Sequence, residues 1–116
     1  MNRPIKIVAL TAAGLSLAKN LAAQIEGSEL WFKPKPFAEK IQCAFSAGDG
    51  LILICATGIA VRSLAPVIAS KHEDPPVLIL DEQGEFVIPL LSGHQGGAND
   101  WAAWVAKIIG AQLVIT

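Results

Sequence analysis

Leu51-Ile52-Leu53-Ile54-Cys55 is an unbroken apolar run, bounded by Gly48-Asp49-Gly50 before it and Thr57-Gly58 after it. A strand with only one face in the core alternates apolar and polar residues, whereas a strand covered on both faces does not. The run therefore reads as the centre of a sheet with helices above and below. Working outward, Ile5 to Leu10 is a second β-branched run, and Leu17, Leu21 and Ile25 repeat at helical spacing in the stretch that follows. Gly27 ends that helix, Glu29 to Phe32 gives a short strand, and Lys33-Pro34-Lys35-Pro36 continues neither element. Phe37 to Ala47 reads as a second helix.

On the other side of the central run, a helix is expected over Ile59 to Ala69 with Val61, Leu64, Ala65 and Ile68 on its buried face. Pro66 must kink it or open a second short helix. Val77 to Leu80 and Phe86 to Leu90 are strands joined by Asp81-Glu82-Gln83-Gly84-Glu85, a linker of hairpin length. A helix then runs to about Ile109, Gly110 caps it, and Leu113 to Ile115 starts a last strand. Strands alternating with helices predict an α/β three-layer sandwich. Its sheet is mostly parallel, of about five or six strands, with one antiparallel hairpin.

The chain of 116 residues fits a single domain. Its 53% hydrophobic and 16% charged residues suit a doubly covered sheet and leave apolar surface for another domain or subunit, or for a homo-oligomer. Nine basic residues against ten acidic ones provide no field to gather a nucleic acid, so a small-molecule ligand is the expected partner. Apolar runs far shorter than the roughly 20 residues that span a bilayer exclude a membrane helix, and no signal peptide is legible, so a cytoplasmic protein is expected. Cys43 and Cys55 lack the paired spacing of a zinc or redox site and are expected to be structural.

Two loops carry candidate chemistry. At Ala56-Thr57-Gly58-Ile59-Ala60-Val61-Arg62 the central strand passes into a helix, where ligands of open α/β sheets gather. Backbone N–H groups and the helix dipole attract an anion there; Gly58 permits close approach, Thr57 offers a hydroxyl, and Arg62 suits a carboxylate. The bland alternative is a cap threonine, a turn glycine and a solvated arginine. The second loop, Ser92-Gly93-His94-Gln95-Gly96-Gly97-Ala98-Asn99, sets three glycines beside a hydroxyl, an imidazole and an amide. Such glycine density implies left-handed backbone or a ligand pressed against the main chain. His94 suits acid–base work near neutral pH, and the Gly96 and Gly97 amides an oxyanion. Here the alternative is a cap serine, a histidine bonded to backbone and an asparagine in the first helical turn. Neither loop fits the nucleophile elbow, the dinucleotide fingerprint or the phosphate loop. His72 reads as a solvated histidine, and Trp31, Trp101 and Trp104 as packing residues, with Trp101 near enough to the glycine loop to border a flat macrocycle.

Thr57-Gly-Ile-Ala-Val-Arg62, Asp74-Pro75, Val77-Leu-Ile-Leu-Asp81, Gly84 and Phe86-Val-Ile-Pro-Leu-Leu-Ser-Gly-His-Gln-Gly-Gly-Ala-Asn99 together resemble, in order and spacing, the amino-terminal domain of the cobalamin-biosynthesis protein G family. The resemblance is specific from about Gly50 to Thr116. It implies cobalt-precorrin-5A hydrolase activity: water opens the ring A δ-lactone of a cobalt corrinoid and acetaldehyde leaves. Lactone opening needs activated water, stabilisation of an oxyanion and a grip on carboxylates. The residues' own chemistry offers His94 and, less attractively, Ser92 as catalytic candidates, with Thr57, Gly58, Arg62, Asp81, Gly93, Gly96, Gly97 and Asn99 as substrate-binding ones. Cobalt arrives inside the substrate, so no metal or other cofactor of the protein's own is expected. The chain is expected to be the amino-terminal part of a longer protein, with a carboxy-terminal domain or another subunit as partner. If residues 77 to 90 form a strict hairpin, the Ser92 loop emerges at the sheet end opposite the Thr57 loop, unless Pro89 bends the strand back.

Overall fold

The computed structural model describes residues 3–94 and 96–116, so Met1, Asn2 and the Gln95 of the glycine loop lie outside the described residues. In chain order the elements are β1 (Ile5–Ala9), α1 (Ala12–Gln24), β2 (Ser28–Phe32), α2 (Phe37–Ser46), β3 (Gly50–Ile54) and α3 (Thr57–Leu64). A short 3-10 turn (Ala65–Val67), β4 (Val77–Leu80), β5 (Phe86–Leu91), α4 (Ala98–Ile109) and β6 (Gln112–Leu113) follow. Six strands form one sheet in the order β2-β1-β3-β4-β5-β6. The first four are parallel, β5 is antiparallel to β4, and β6 runs with β5.

The apolar run at residues 51–54 is an inner strand, as its lack of alternation requires. Leu51 and Leu53 point to the α2/α3 layer, where Ile41, Phe45, Ala60 and Leu64 pack, while Ile52 and Ile54 point to the α1/α4 layer with Ala18, Leu21, Ala102 and Val105. Leu51, Ile52 and Leu53 are fully buried, each stabilising the fold by about 1.5–3 kcal/mol relative to exposure. The result is three layers, with α1 and α4 on one face of the sheet and α2 and α3 on the other.

Three expectations need correction, on the face of α3, Cys43 and Trp104, and the structure decides the alternatives left open at Pro66 and Pro89. Pro66 opens a separate 3-10 turn, so α3 stops at Leu64 instead of running to Ala69. The buried face therefore consists of Ala60, Ser63 and Leu64, and Val61 and Ile68, expected inside, are 47% and 44% exposed. Cys43 lies exposed on α2, and only Cys55 is half-buried. Trp101 packs in the core but Trp104, one helical turn on, is 46% exposed. Pro89 does not turn β5 away: the strand stays paired from Leu80↔Val87 to Val77↔Leu91, with an irregularity at Val77/Leu78 opposite the proline. β6 pairs only with Phe86 and Val87, so Pro89 lies beyond its reach, where a missing N–H is tolerated.

Candidate functional site

The strand order sets where a crevice must open. From β1 the chain leaves outward through α1 to β2, and from the neighbouring β3 it leaves in the other direction through α3 to β4. Right-handed crossovers place those two helices on opposite faces, so the carboxyl ends of β1 and β3 are left uncovered between them. A cavity of about 290 Å³ lies there, walled by Leu10 and Thr11 from the β1 end, Ile54, Cys55, Ala56 and Ile59 from the β3 end, and Asp81 and Glu82 from the β4–β5 turn.

On the α3 side the wall is a helix amino terminus without a side-chain cap. Ala56 occupies the cap position and Thr57 the first helical position, so the threonine is not the cap that the bland reading supposed. The amides of Ile59 and Ala60 bond the Ala56 carbonyl, and those of Thr57 and Gly58 precede the first possible helical acceptor. A methyl group built on Gly58 would meet only Nη1 of Arg62, at 3.4 Å, an ordinary contact with the end of a flexible side chain. Gly58 has no left-handed backbone either. Nothing in the fold therefore demands glycine at this position, where alanine would favour the helix by about 1 kcal/mol. The guanidinium beside it adds positive charge to the positive end of the helix dipole, an arrangement suited to an anionic ligand.

Opposite stand Thr11 and Glu82. The Thr11 hydroxyl oxygen caps α1 by accepting from Gly14 N–H at 3.0 Å, and the hydroxyl donates to Glu82 Oε2 at 2.6 Å. Gly14 makes this possible, since a side chain there would press within 3.2 Å of Ile54 Cγ2. The carboxylate of Asp81 accepts from the N–H groups of Gln83, Glu85 and Phe86 at 3.2, 2.9 and 2.7 Å. It thereby holds the turn that carries Glu82, and its oxygens face that turn's own backbone. Burial pushes the Cys55 thiol up to about 11, so it stays neutral around pH 7.

The second loop lies elsewhere. Leu91 pairs with Val77, which in turn pairs with Leu51 at the start of β3. Ser92 therefore emerges at the amino end of the parallel strands and Thr57 at the carboxyl end, about 16 Å apart for a five-residue strand. One chain cannot bring both loops to one reacting atom. Ser92 has φ 60°, and its Oγ donates to the Asp74 carbonyl at 2.8 Å. The Ala98 and Asn99 amides bond the carbonyls of Ser92 and Gly93 at 3.1 and 2.9 Å, so the loop folds back to cap α4 itself. Gly97, the cap residue, is left-handed at φ 83°. Side chains on Gly96 or Gly93 would lie 2.3 Å from Ser92 Cβ and 2.7 Å from Asn99 Oδ1. His94 is exposed, beside a cavity of about 240 Å³ shared with Lys71, Ser92 and Gly93. Among the described residues no three His, Cys, Asp or Glu side chains gather as metal ligands, and no helix is long and apolar enough to cross a membrane.

An open, doubly wound α/β domain with a crevice at its switch point belongs to the class of folds that take ligands at the carboxyl ends of their strands. Residues 39–116 match the family described as cobalamin synthesis G N-terminal. The chain is 44% identical to the cobalt-precorrin-5A hydrolase of Salmonella typhimurium over 97% of its own length and 35% of that protein's. It is 34% identical to the protein of the same name from Priestia megaterium, over 95% of the chain and 34% of the relative. A crystal structure of a cobalamin biosynthesis protein G homolog from Sulfolobus solfataricus superposes with a TM-score of 0.81 at 27% identity, covering 98% of the chain and 37% of that one. The chain belongs to the cobalamin synthesis G N-terminal family. The likeness takes in β1 to α2 as well as the motif-bearing half, and the chain spans about a third of the length of these relatives.

Proposed function

We propose that this chain is the amino-terminal domain of a cobalt-precorrin-5A hydrolase of cobalamin biosynthesis, acting in the opening of the ring A δ-lactone with release of acetaldehyde. The observation that carries the proposal is the 44% identity, over 97% of the chain, with a relative named for that activity. The crevice chemistry supports it. The substrate is a cobalt corrinoid edged with carboxylates, and the Thr57–Gly58 amides with Arg62 are suited to bind one of them. A cavity of about 290 Å³ admits the edge of a macrocycle rather than its whole face, as an enzyme acting on a peripheral lactone requires.

His94 keeps its acid–base candidacy because its imidazole faces solvent, whereas the Ser92 hydroxyl is engaged with Asp74. From the far end of the sheet, His94 acts on a corrinoid bound in the crevice only when a second chain or the remainder of a longer protein completes the site. This separation favours a second reading, in which the domain grips the corrinoid and the chemistry occurs elsewhere. Titrating the chain with cobalt-precorrin-5A distinguishes both from a purely structural role: a saturable shift in corrin absorbance is expected, and none at all overturns the proposal. His94→Ala in a full-length hydrolase carrying this domain separates the two readings. Acetaldehyde release falling about 100-fold or more supports acid–base catalysis, and unchanged release removes His94 from the mechanism.

A further inference from the structure

We infer that Glu82, held by Thr11, is the general base of the switch-point crevice; the inference rests on the hydrolase reading above. Three observations combine. Glu82 walls the same cavity as the start of α3, so a carboxylate and an anion-attracting helix end face one small space. Its orientation is fixed: the oxygen of Thr11 is already an acceptor for Gly14 N–H, and its hydroxyl donates to Glu82 Oε2 at 2.6 Å. The turn carrying Glu82 is in turn held by three backbone bonds to the Asp81 carboxylate. An exposed glutamate needs no such support to remain soluble.

The chemistry of a lactone fits this pair of walls. With its carbonyl oxygen toward the first turn of α3, where Ala56 and Ile59 wall the cavity, the lactone presents its carbonyl carbon to a water on the Glu82 side. Glu82 takes one proton from that water as the oxygen bonds to the carbon, and the negative charge that forms on the carbonyl oxygen meets the positive end of the α3 dipole. The ring C–O bond then breaks, the proton held by Glu82 passes to the departing alkoxide, and the lactone plus one water has become a carboxylic acid and an alcohol. Acetaldehyde leaves in the step that follows, in which the alcohol loses its proton, its C–O bond becomes a carbonyl, and the carbon–carbon bond to the macrocycle breaks with its electron pair and a proton left on the macrocycle. Glu82 ends as it began, so no oxidant, reductant or metal of the protein's own enters the balance.

A competing reading makes Glu82 only a latch, tying the β4–β5 turn to α1 across 71 residues of sequence. Glu82→Gln separates the two, because the amide oxygen still accepts from Thr11 while the basicity is gone. In a full-length hydrolase carrying this domain, Glu82→Gln is expected to lower the rate of acetaldehyde release about 100-fold or more. Corrinoid affinity and thermal midpoint are expected to stay at the parent values, and Glu82→Asp to recover part of the rate. Release within about threefold of the parent in an otherwise active enzyme overturns the role of Glu82 and leaves the hydrolase reading standing. A parent that releases no acetaldehyde from cobalt-precorrin-5A overturns both.

Discussion

The two loops that join a strand to a helix near glycine, at Thr57 and at Ser92, look alike as sequence and differ as structure. At the Ser92 loop every glycine answers to the chain itself. Gly96 and Gly93 would collide with Ser92 and Asn99 if they carried side chains, and Gly97 is left-handed. At the Thr57 loop Gly58 has ordinary backbone, and a methyl there would meet only the movable guanidinium of Arg62. The richer glycine loop is thus a self-contained helix cap that leaves its histidine in solvent, and the poorer one holds the glycine that its own fold does not explain. Glycine density alone does not separate a ligand cradle from a tight turn; the neighbours of the missing Cβ do.

The sharpest way to break this contrast is Gly96→Ala. Its Cβ would sit 2.3 Å from Ser92 Cβ and 2.8 Å from the Ser92 carbonyl oxygen, and because the latter is backbone the loop must move. A loss of about 3 kcal/mol is expected, seen as a fall of about 12 °C or more in the thermal midpoint by circular dichroism. A loss below about 1 kcal/mol would mean that the loop gives way easily and that its glycines await another explanation.

Much of the architecture was legible because the relevant signals are local. The doubly buried β3, the Asp81–Glu85 hairpin with Gly84 in its turn, and the glycines Gly27 and Gly110 that follow helices, all three glycines with positive φ, follow from short-range periodicity and turn chemistry. The face of α3 was misread because Val61 and Ile68 were placed inside by their apolar spacing, whereas the helix turns Ala60, Ser63 and Leu64 inward and Ile68 lies beyond the short 3-10 turn that Pro66 opens. The pairing of Thr11 with Glu82 was invisible because it spans the chain and depends on strand order. β1 must lie beside β3, and β4 beyond it, before those residues meet, and neither hydropathy nor spacing states that order. The separation of the Thr57 and Ser92 loops was foreseeable as a consequence of a strict hairpin, and the paired register of β5 decides it.

The cysteines extend the same comparison to the walls of the crevice. Cys55 walls the cavity at the end of β3, with its thiol raised to about 11 by burial, whereas Cys43 lies on the exposed surface of α2. At pH 8 iodoacetamide should label Cys43 first, and the Cys55 rate should climb about tenfold per pH unit until it levels near pH 11. Burial disfavours the thiolate, so the contribution of Cys55 to stability is complete below its unfolded value near 9 and is lost as pH rises toward 11. A Cys55 that labels as quickly as Cys43 at pH 8 would show the crevice floor to be far wetter than its packing implies.

Gly58→Ala is the smallest perturbation and bears on the other half of the contrast. Adding a methyl to the first turn of α3 removes glycine's conformational freedom from the unfolded chain and meets only the movable end of Arg62. The domain should therefore gain about 0.5–1 kcal/mol and melt a few degrees higher. If backbone approach by a carboxylate is what glycine serves here, the same methyl stands between ligand and amides, and corrinoid affinity should fall about tenfold, the equivalent of roughly 1.4 kcal/mol. Stability and binding would then move in opposite directions in one variant, which a defect in folding cannot produce. A variant that gains stability and binds the corrinoid as well as the parent would place the ligand away from α3, and the Thr57 loop would become a helix start with a chance glycine.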